Sequence, residues 1–309
     1  MNLEGYILDI IKKIEEKGHS AYLAGTSVFM HILGRPIEEY DIITSAPFFS
    51  LSKKEKQEDN ILHIDSYTKK VHISFSLNKE DYYKECCLNI DTLLYHYKHG
   101  IIDEKHTLDD IDKKKIKILN PTILNQHKEN LFKALLYAVS YDFKFDKHLE
   151  EYLSNHTFDF SNVKKNEIGK YLIRILTLSA PGKTILKYKS IFSNFIKVSD
   201  TLIKALDYTK NDLTLRLLVL CNALDIISAE KFLREYAFPK EVKSTVLHLL
   251  EIQDRLPSLN DLEEFISKVS KKEARILFSL KRSYHLASNQ ISKIKELDAT
   301  ENKINSLYD

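Results

Sequence analysis

Short apolar runs separated by polar breaks make up the N-terminal part of the chain, whereas the rest repeats apolar residues at helical spacing. An apolar run of four to eight residues between turn-forming residues is typical of a strand. A polar stretch, SLSKKEKQEDN at 50–60, predicts a loop. The apolar runs predict strands at 21–25, 40–44, 61–65, 71–77 and 116–119.

Helical period dominates after Asn120-Pro121, where proline suits the first turn of a helix. The stretch at 213–227 is apolar nearly all round, which predicts one buried helix. Two further helices are predicted at 270–286 and 289–307. We therefore predict an α+β fold. Its predicted parts are a small mixed-sheet head at 1–120, a helical neck at 121–180, a helical body at 181–258 and a helical tail at 259–309.

The most informative stretch reads AYLAGTSVFMHILGRPIEEYDIITSAP, at 21–47. Gly25 ends an apolar run and permits a tight turn in which backbone can approach a ligand. The apolar residues 27–33 predict a short helix. Gly34 is placed to end that helix, and Pro36 prevents its continuation.

Two carboxylates follow this helix on the next predicted strand. Glu39 and Asp41 are two residues apart, so they project from one face of the strand toward the Gly25 turn. Carboxylates beside a helix N-terminus can hold a divalent metal ion and a triphosphate. A pair of this kind by itself is more often a solvated surface, so the interpretation depends on the spacing of the whole stretch.

That spacing resembles the first motif of class II CCA-adding enzymes and bacterial poly(A) polymerases, YLVGGxVRDxLLGRxPxDxDIxTSA. The similarity continues at 86–89, at 131–146, which follows the family's neck helix, and at 166–176. It covers residues 1–180. The residues in register with the first motif are Tyr22, Leu23, Gly25, Val28, Leu33, Gly34, Arg35, Asp41, Ile42, Thr44, Ser45 and Ala46.

The resemblance implies a nucleotidyltransferase head that uses Mg²⁺, a nucleoside triphosphate and RNA, such as tRNA. It makes Glu39 and Asp41 the catalytic residues and the metal ligands. The nucleotide-binding residues that it implies, or that would have to replace the family's arginines, are Gly25, Thr26, Ser27, Lys84, Asn89, Asn130 and Lys133.

Several ligand-facing positions depart from the family pattern. Thr26 stands where the family has its second glycine, and Glu39 stands where it has the first metal-binding aspartate. A further acid in the family's next strand falls near His72, and a neck arginine becomes Lys133. Lysine does not reproduce the planar fork of arginine. The apolar positions thus match the family pattern while the polar positions differ from it. This favours a retained fold with a degraded active site, and a repurposed pocket with a new ligand is the alternative.

Charge is unevenly distributed. Residues 1–150 carry a net charge of −3 and residues 151–309 of +5, which together give the +2 of the whole chain. Basic clusters can neutralise nucleic-acid phosphates, although lysine-rich helices are often only solvated faces. The candidate RNA-binding residues just after the neck are Lys164, Lys165, Lys170, Arg174, Lys183, Lys187 and Lys189.

Composition predicts a cytoplasmic protein. The chain has no apolar run of about 18 residues, so we expect no membrane partner. Its three cysteines, Cys86, Cys87 and Cys221, are an odd number and two are adjacent, which predicts buried thiols in a reducing compartment.

Three functions stay open from the sequence. The first, which we favour, is a family member with weak or no catalysis that still binds RNA or tRNA and needs no cofactor. The second is an active but divergent nucleotidyltransferase that adds nucleotides to an RNA 3′ end with Mg²⁺. The third is a regulatory module with a protein partner, in which the old pocket is structural.

Overall fold

The computed structural model describes residues 3–47, 56–58, 61–64, 69–76, 78–156, 158–253 and 262–308. The chain divides into two compact units, Met1–Tyr152 and Leu153–Asp309, which we call the head unit and the C-terminal unit. The division falls inside the predicted neck, so residues 121–152 belong to the head unit. The finer division into neck, body and tail stays a prediction.

Among the described residues of the head unit, seven strands form one mixed sheet: β1 Ala21–Ala24, β2 Glu39–Thr44, β3 Lys56–Glu58, β4 Ile61–Ile64, β5 Lys70–Phe75, β6 Leu94–His96 and β7 Gly100–Ile102. Their order is β3-β4-β5-β2-β1-β6-β7. β2 and β5 run parallel, and each other neighbouring pair is antiparallel. Together with the helices described below, this sheet confirms the predicted α+β class.

The strand predictions differ from the structure in three places. The loop prediction at 50–60 is wrong at 56–58, which form β3, while its other residues lie outside the described part of the chain. β6 and β7 lie outside the five strand ranges predicted from apolar runs. The strand predicted at 116–119 is shortened to β8, Lys115–Ile116, which pairs in parallel with β9, Lys144–Phe145.

Apolar spacing explains how the first helix covers the sheet. The helix α1, Gly5–Glu16, buries Ile7, Ile11 and Ile14, which recur every three or four residues and so share one face. This helix contacts β1. Burial of that face fixes the start of the strand that leads to the Gly25 turn.

The remaining helices of the head unit are α2 Gly25–Ile32, α3 Lys79–Glu85, α4 Thr107–Asp112, α5 Pro121–Gln126 and α6 Glu129–Tyr141, with α7 Lys147–Asn155 crossing the division between the units. Gly34 ends α2 as predicted, with a φ of +63° and its N–H bonded to the His31 carbonyl. The helix predicted over 131–146 stops at Tyr141, because Asp142 adopts a left-handed conformation and β9 follows.

Helices make up the C-terminal unit: α8 Lys165–Leu176, α9 Pro181–Lys187, α10 Lys189–Phe192, α11 Asp200–Ala205, α12 Leu213–Cys221, α13 Ile226–Glu235, α14 Lys240–Ile252, α15 Leu262–Lys268, α16 Lys271–Ala287 and α17 Ile291–Tyr308. The single helix predicted at 213–227 is wrong. It ends at Cys221, and the Asp225 carboxylate caps the next helix by accepting from the Ser228 N–H. The helical pair predicted at 270–286 and 289–307 is confirmed by α16 and α17.

The cysteines follow the sequence prediction, since Cys86, Cys87 and Cys221 are free thiols and all three are buried. In the described part of the chain, no helix combines the length and apolar character needed to cross a membrane.

Candidate functional site

The Gly25 turn joins β1 directly to α2. Gly25 has a φ of +53°, which glycine tolerates better than other residues. A Cβ at this position would lie 3.3 Å from the Tyr82 hydroxyl oxygen and 3.4 Å from the Asp91 carbonyl oxygen. The Gly25 N–H donates to the Leu93 carbonyl at 2.8 Å. The turn is therefore packed closely against protein groups on this side.

The two hydroxyls at the start of α2 have internal partners. Ser27 is fully buried, and its Oγ accepts from the Asp41 N–H at 2.8 Å and donates to the Glu39 carbonyl at 3.2 Å. The Thr26 Oγ1 accepts from the Tyr137 hydroxyl at 3.3 Å. Ser27 thus fastens α2 to β2 beside the two carboxylates, which is a structural role at a position predicted to cradle a triphosphate.

Ser27→Ala is expected to lower the free energy of unfolding by about 1–3 kcal/mol, because it leaves the Asp41 N–H without its buried acceptor. The matched control is Thr26→Val, which removes the neighbouring hydroxyl and keeps its shape, and we expect a loss below about 1 kcal/mol. Urea unfolding followed by far-UV circular dichroism measures both. Equal losses for the two variants would contradict the bridging role of Ser27.

Glu39 and Asp41 project from one face of β2, as predicted, and each meets a nitrogen-bearing side chain of β5. The parallel register pairs Glu39 with Lys70 and Asp41 with His72. The Lys70 Nζ lies 3.7 Å from Glu39 Oε1, and the His72 Nδ1 lies 3.4 Å from Asp41 Oδ1. The contact with Asp41 raises the pKa of His72 above its ordinary value, although burial opposes the shift. A lysine ammonium and a histidine imidazole from β5 therefore face the two candidate metal ligands.

A second carboxylate–lysine pair lies beneath the Gly25 turn. Asp91 belongs to a single helical turn at Asn89–Thr92, and its Oδ1 accepts from the Lys133 Nζ of α6 at 2.6 Å. The two side chains are only 12% and 22% exposed. Burial by itself would lower the pKa of Lys133, but the Asp91 and Asp41 charges and the hydrogen bond to Asp91 outweigh it and raise that pKa well above its ordinary value. Lys133 is thus a charged, internally paired ammonium.

The Asp91 main chain and side chain have further partners. The Tyr82 hydroxyl donates to the Asp91 carbonyl at 2.7 Å, and the Cys87 thiol lies 3.8 Å from Asp91 Oδ2. Asp91 therefore links the Gly25 turn, α3 and α6. Sequence reasoning missed this residue, and its signal was an acid inside the apolar run CCLNIDTLL.

The other predicted nucleotide-binding residues have separate surroundings. Asn89 is buried, and its amide donates to Asp110 Oδ2 at 3.0 Å and accepts from the Lys117 N–H at 3.0 Å. Lys84 is exposed and pairs with Asp81 at 2.8 Å on the same helix. Asn130 is half-buried in the first turn of α6. Their assignment to nucleotide binding stays a prediction.

The donor set does not fit a pair of divalent cations. Two-metal sites hold ions about 3.5–4 Å apart between shared oxygen ligands. Here the two carboxylates of β2 face Lys70 and His72, and the third carboxylate, Asp91, is bonded to Lys133. Within the described ranges, no group of three or more His, Cys, Asp or Glu side chains is arranged to hold a metal ion.

All seven predicted RNA-binding side chains lie exposed in the C-terminal unit. Lys165 pairs with Glu235, Lys170 with Glu167 and Lys189 with Asp200, all within this unit. Lys187 lies over the Tyr188 ring at 4.8 Å. Among the described residues, Arg174 and Lys183 have no carboxylate partner for their side-chain charge.

No family model and no curated protein matches the sequence, but solved structures match along nearly the whole chain. A "tRNA-processing enzyme (apo form I)" is 17% identical with a TM-score of 0.68, covering 100% of this chain and 99% of that one. The Bacillus stearothermophilus CCA-adding enzyme in complex with CTP is 15% identical with a TM-score of 0.71, covering 97% and 80%. The chain has the CCA-adding enzyme fold.

A third structure with the CCA-adding enzyme fold is the Thermotoga maritima CCA-adding enzyme complexed with tRNA. It is 16% identical with a TM-score of 0.66, and the match covers 95% of this chain and 83% of that chain. The fold expected from the first motif is therefore confirmed. On this CCA-adding enzyme fold, Ser27 bonds to the main chain of Glu39 and Asp41, and the Asp41 charge acts on Lys133. Gly25 lies against Tyr82 and Asp91, and Thr26 against Tyr137.

Proposed function

We propose that this chain is a tRNA nucleotidyltransferase-like protein that binds RNA, with tRNA as the favoured class, and adds nucleotides weakly or not at all. The fold supports the first part, since solved structures with this fold include complexes with tRNA and with CTP. The pairing within the candidate site supports the second part.

The single observation that carries the proposal is the buried pair between Lys133 and Asp91. A triphosphate that engaged the Lys133 ammonium would leave the Asp91 carboxylate uncompensated in its buried position. Leaving one charge of a buried pair without its partner costs about 3–5 kcal/mol. The Lys133 ammonium therefore stabilises the folded site, whereas in a nucleotide-adding site a cation at this position would bind phosphate.

A nucleotide-incorporation assay tests the catalytic part of this proposal. The protein is incubated with labelled CTP or ATP, Mg²⁺ or Mn²⁺, and tRNA lacking its 3′ end. We expect tRNA binding that weakens with salt, and incorporation near background. Efficient incorporation that disappears in Asp41→Ala would overturn the proposal and support the active alternative, with Glu39 and Asp41 as its catalytic residues. Failure to bind both tRNA and nucleotide would instead support a protein-interaction role.

The RNA-binding part makes a residue-level prediction. Arg174→Glu with Lys183→Glu is expected to weaken tRNA binding about tenfold or more at low salt, because these cations are available to phosphates without breaking an internal ion pair. The plot of log affinity against log salt concentration has a negative slope. The magnitude of that slope should decrease by about one for each phosphate that is no longer neutralised. Filter binding or fluorescence anisotropy at several salt concentrations measures both quantities.

The matched control for this double variant changes the head unit by the same charge. Lys113→Glu with Lys144→Glu replaces two exposed lysines there and should alter tRNA affinity much less. If the two double variants weaken binding equally, net charge alone explains the effect and the assignment of Arg174 and Lys183 is wrong.

A further inference from the structure

Glu39 and Asp41 lie on one face of β2, and each forms a cross-strand pair with a residue of β5. The strands are parallel and in register over six residue pairs, from Glu39 with Lys70 to Thr44 with Phe75. Side chains at alternate positions share a face, so Lys70 and His72 lie on the same side as the two carboxylates. The intervening residues, Tyr40 and Val71, are buried on the opposite side.

Each of the two cross-strand pairs places a carboxylate of β2 beside a basic side chain of β5. The Lys70–Glu39 contact is 3.7 Å between side chains that are about half exposed, and the His72–Asp41 contact is 3.4 Å between side chains 25% and 40% exposed. Oppositely charged pairs directly across neighbouring strands stabilise a sheet. The face thus places the Lys70 ammonium and the His72 imidazole of β5 at the positions adjacent to the carboxylates.

We infer that Lys70 and His72 take the place of a divalent cation on this sheet face, so that the protein does not hold Mg²⁺ or Mn²⁺ at Glu39 and Asp41. A cation that approaches the carboxylates also approaches the Lys70 ammonium and the His72 imidazole of the same two cross-strand pairs. These two basic groups compete with the cation for the carboxylate oxygens. The inference rests on the proposed function because it names the residues that suppress catalysis at that site.

His72 is the basic group closest to Asp41 on this face. Replacing His72 with aspartate removes the imidazole and adds a third carboxylate beside Asp41, in the register position next to it. Three clustered carboxylates repel one another, and a hard divalent cation with oxygen ligands relieves that repulsion. His72→Asp is therefore expected to create a Mn²⁺ site at this position.

Mn²⁺ titration followed by electron paramagnetic resonance tests this, with the full chain and with no RNA or nucleotide present. His72→Asp should bind one ion saturably, whereas wild-type protein should show no saturation at Mn²⁺ concentrations about tenfold higher. His72→Asn, which has nearly the same shape and no added charge, should bind much less than His72→Asp. His72→Asp with Asp41→Asn should lose the gained affinity.

Thermal unfolding supplies a second readout. Mn²⁺ should raise the unfolding temperature of His72→Asp and leave that of the wild type unchanged, because a ligand that binds only the folded state stabilises it. If His72→Asp does not fold, Lys70→Gln with His72→Gln replaces it. That variant removes both basic groups, and it should bind Mn²⁺ more tightly than the wild type.

Two results would overturn the inference. One is a saturable wild-type Mn²⁺ site as tight as that of His72→Asp and abolished by Asp41→Asn. The other is a folded His72→Asp, or folded double glutamine variant, with no gain in Mn²⁺ affinity. The Mn²⁺ measurements need neither tRNA nor catalysis. Failure of this inference can therefore be told apart from failure of the proposed function, which the incorporation and tRNA-binding assays detect.

Discussion

Lys133→Met should destabilise the head unit by about 3–5 kcal/mol, because it leaves the Asp91 carboxylate buried without its counter-charge. Asp91 Oδ1 accepts from the Lys133 Nζ at 2.6 Å, and the Asp91 side chain is only 12% exposed. Methionine retains most of the length of the lysine side chain, so weaker packing contributes little. Urea unfolding measured by far-UV circular dichroism gives the change in the free energy of unfolding.

Lys84→Met provides the matched control. Lys84 also pairs with an aspartate, Asp81, at 2.8 Å, but it is 72% exposed. Exposed pairs contribute about 0–1 kcal/mol, so this substitution should have little effect. A loss below about 1 kcal/mol for Lys133→Met would contradict the buried-pair interpretation.

Replacing both partners separates the cost of an uncompensated charge from the value of the pair. Apolar residues of similar volume often replace a buried ion pair at little cost. Lys133→Met with Asp91→Leu should therefore recover much of the stability that Lys133→Met loses. If the double variant is less stable than the single one, Asp91 stabilises the turn mainly through its other contacts, such as that with Cys87.

Gly169→Ala should destabilise the C-terminal unit by about 3 kcal/mol, although alanine is the better helix former. Gly169 lies in α8, and a Cβ there would stand 1.8 Å from the Tyr236 carbonyl oxygen and 2.8 Å from its carbonyl carbon. Both atoms belong to the main chain, so a side-chain rotation cannot relieve the overlap. The segments must separate, and the apolar packing around them weakens.

Gly5→Ala is the matched control, since it is also a glycine-to-alanine change in a helix. A Cβ at Gly5 would meet no atom within 4 Å. Alanine there should leave stability unchanged or raise it by up to about 1 kcal/mol. Gly169→Ala should thus lower the urea midpoint, whereas Gly5→Ala should leave it unchanged or raise it. A stabilising Gly169→Ala would show that α8 does not approach the Tyr236 main chain this closely.

Local signals in the sequence predicted several elements correctly. The Asn120-Pro121 boundary is the start of α5, where the Asn120 side chain accepts from the main-chain N–H groups of Thr122 and Ile123. The end of α2 at Gly34 follows from the conformational freedom of glycine. Such signals depend on residues a few positions apart, so the chain alone specifies them.

Other elements could not be predicted because their signal is not local. All three residues of β6 are buried, including a tyrosine and a histidine, so this strand shows no alternation of apolar and polar positions. His96 is accommodated there because its Nε2 lies 2.6 Å from the Glu15 carboxylate of α1. The split between α12 and α13 likewise depends on the Asp225 cap, which interrupts an otherwise apolar run.

The sequence by itself determined the α+β class, the Gly25 turn and the placement of Glu39 and Asp41 on one strand face, since these follow from glycine geometry and strand periodicity. Only the tertiary structure decided what those carboxylates face. Lys70 and His72 arrive from a parallel strand, and the Lys133–Asp91 pair joins residues 42 positions apart. Charge pairing of this kind depends on strand register and helix packing, which the spacing of residues along the chain does not encode.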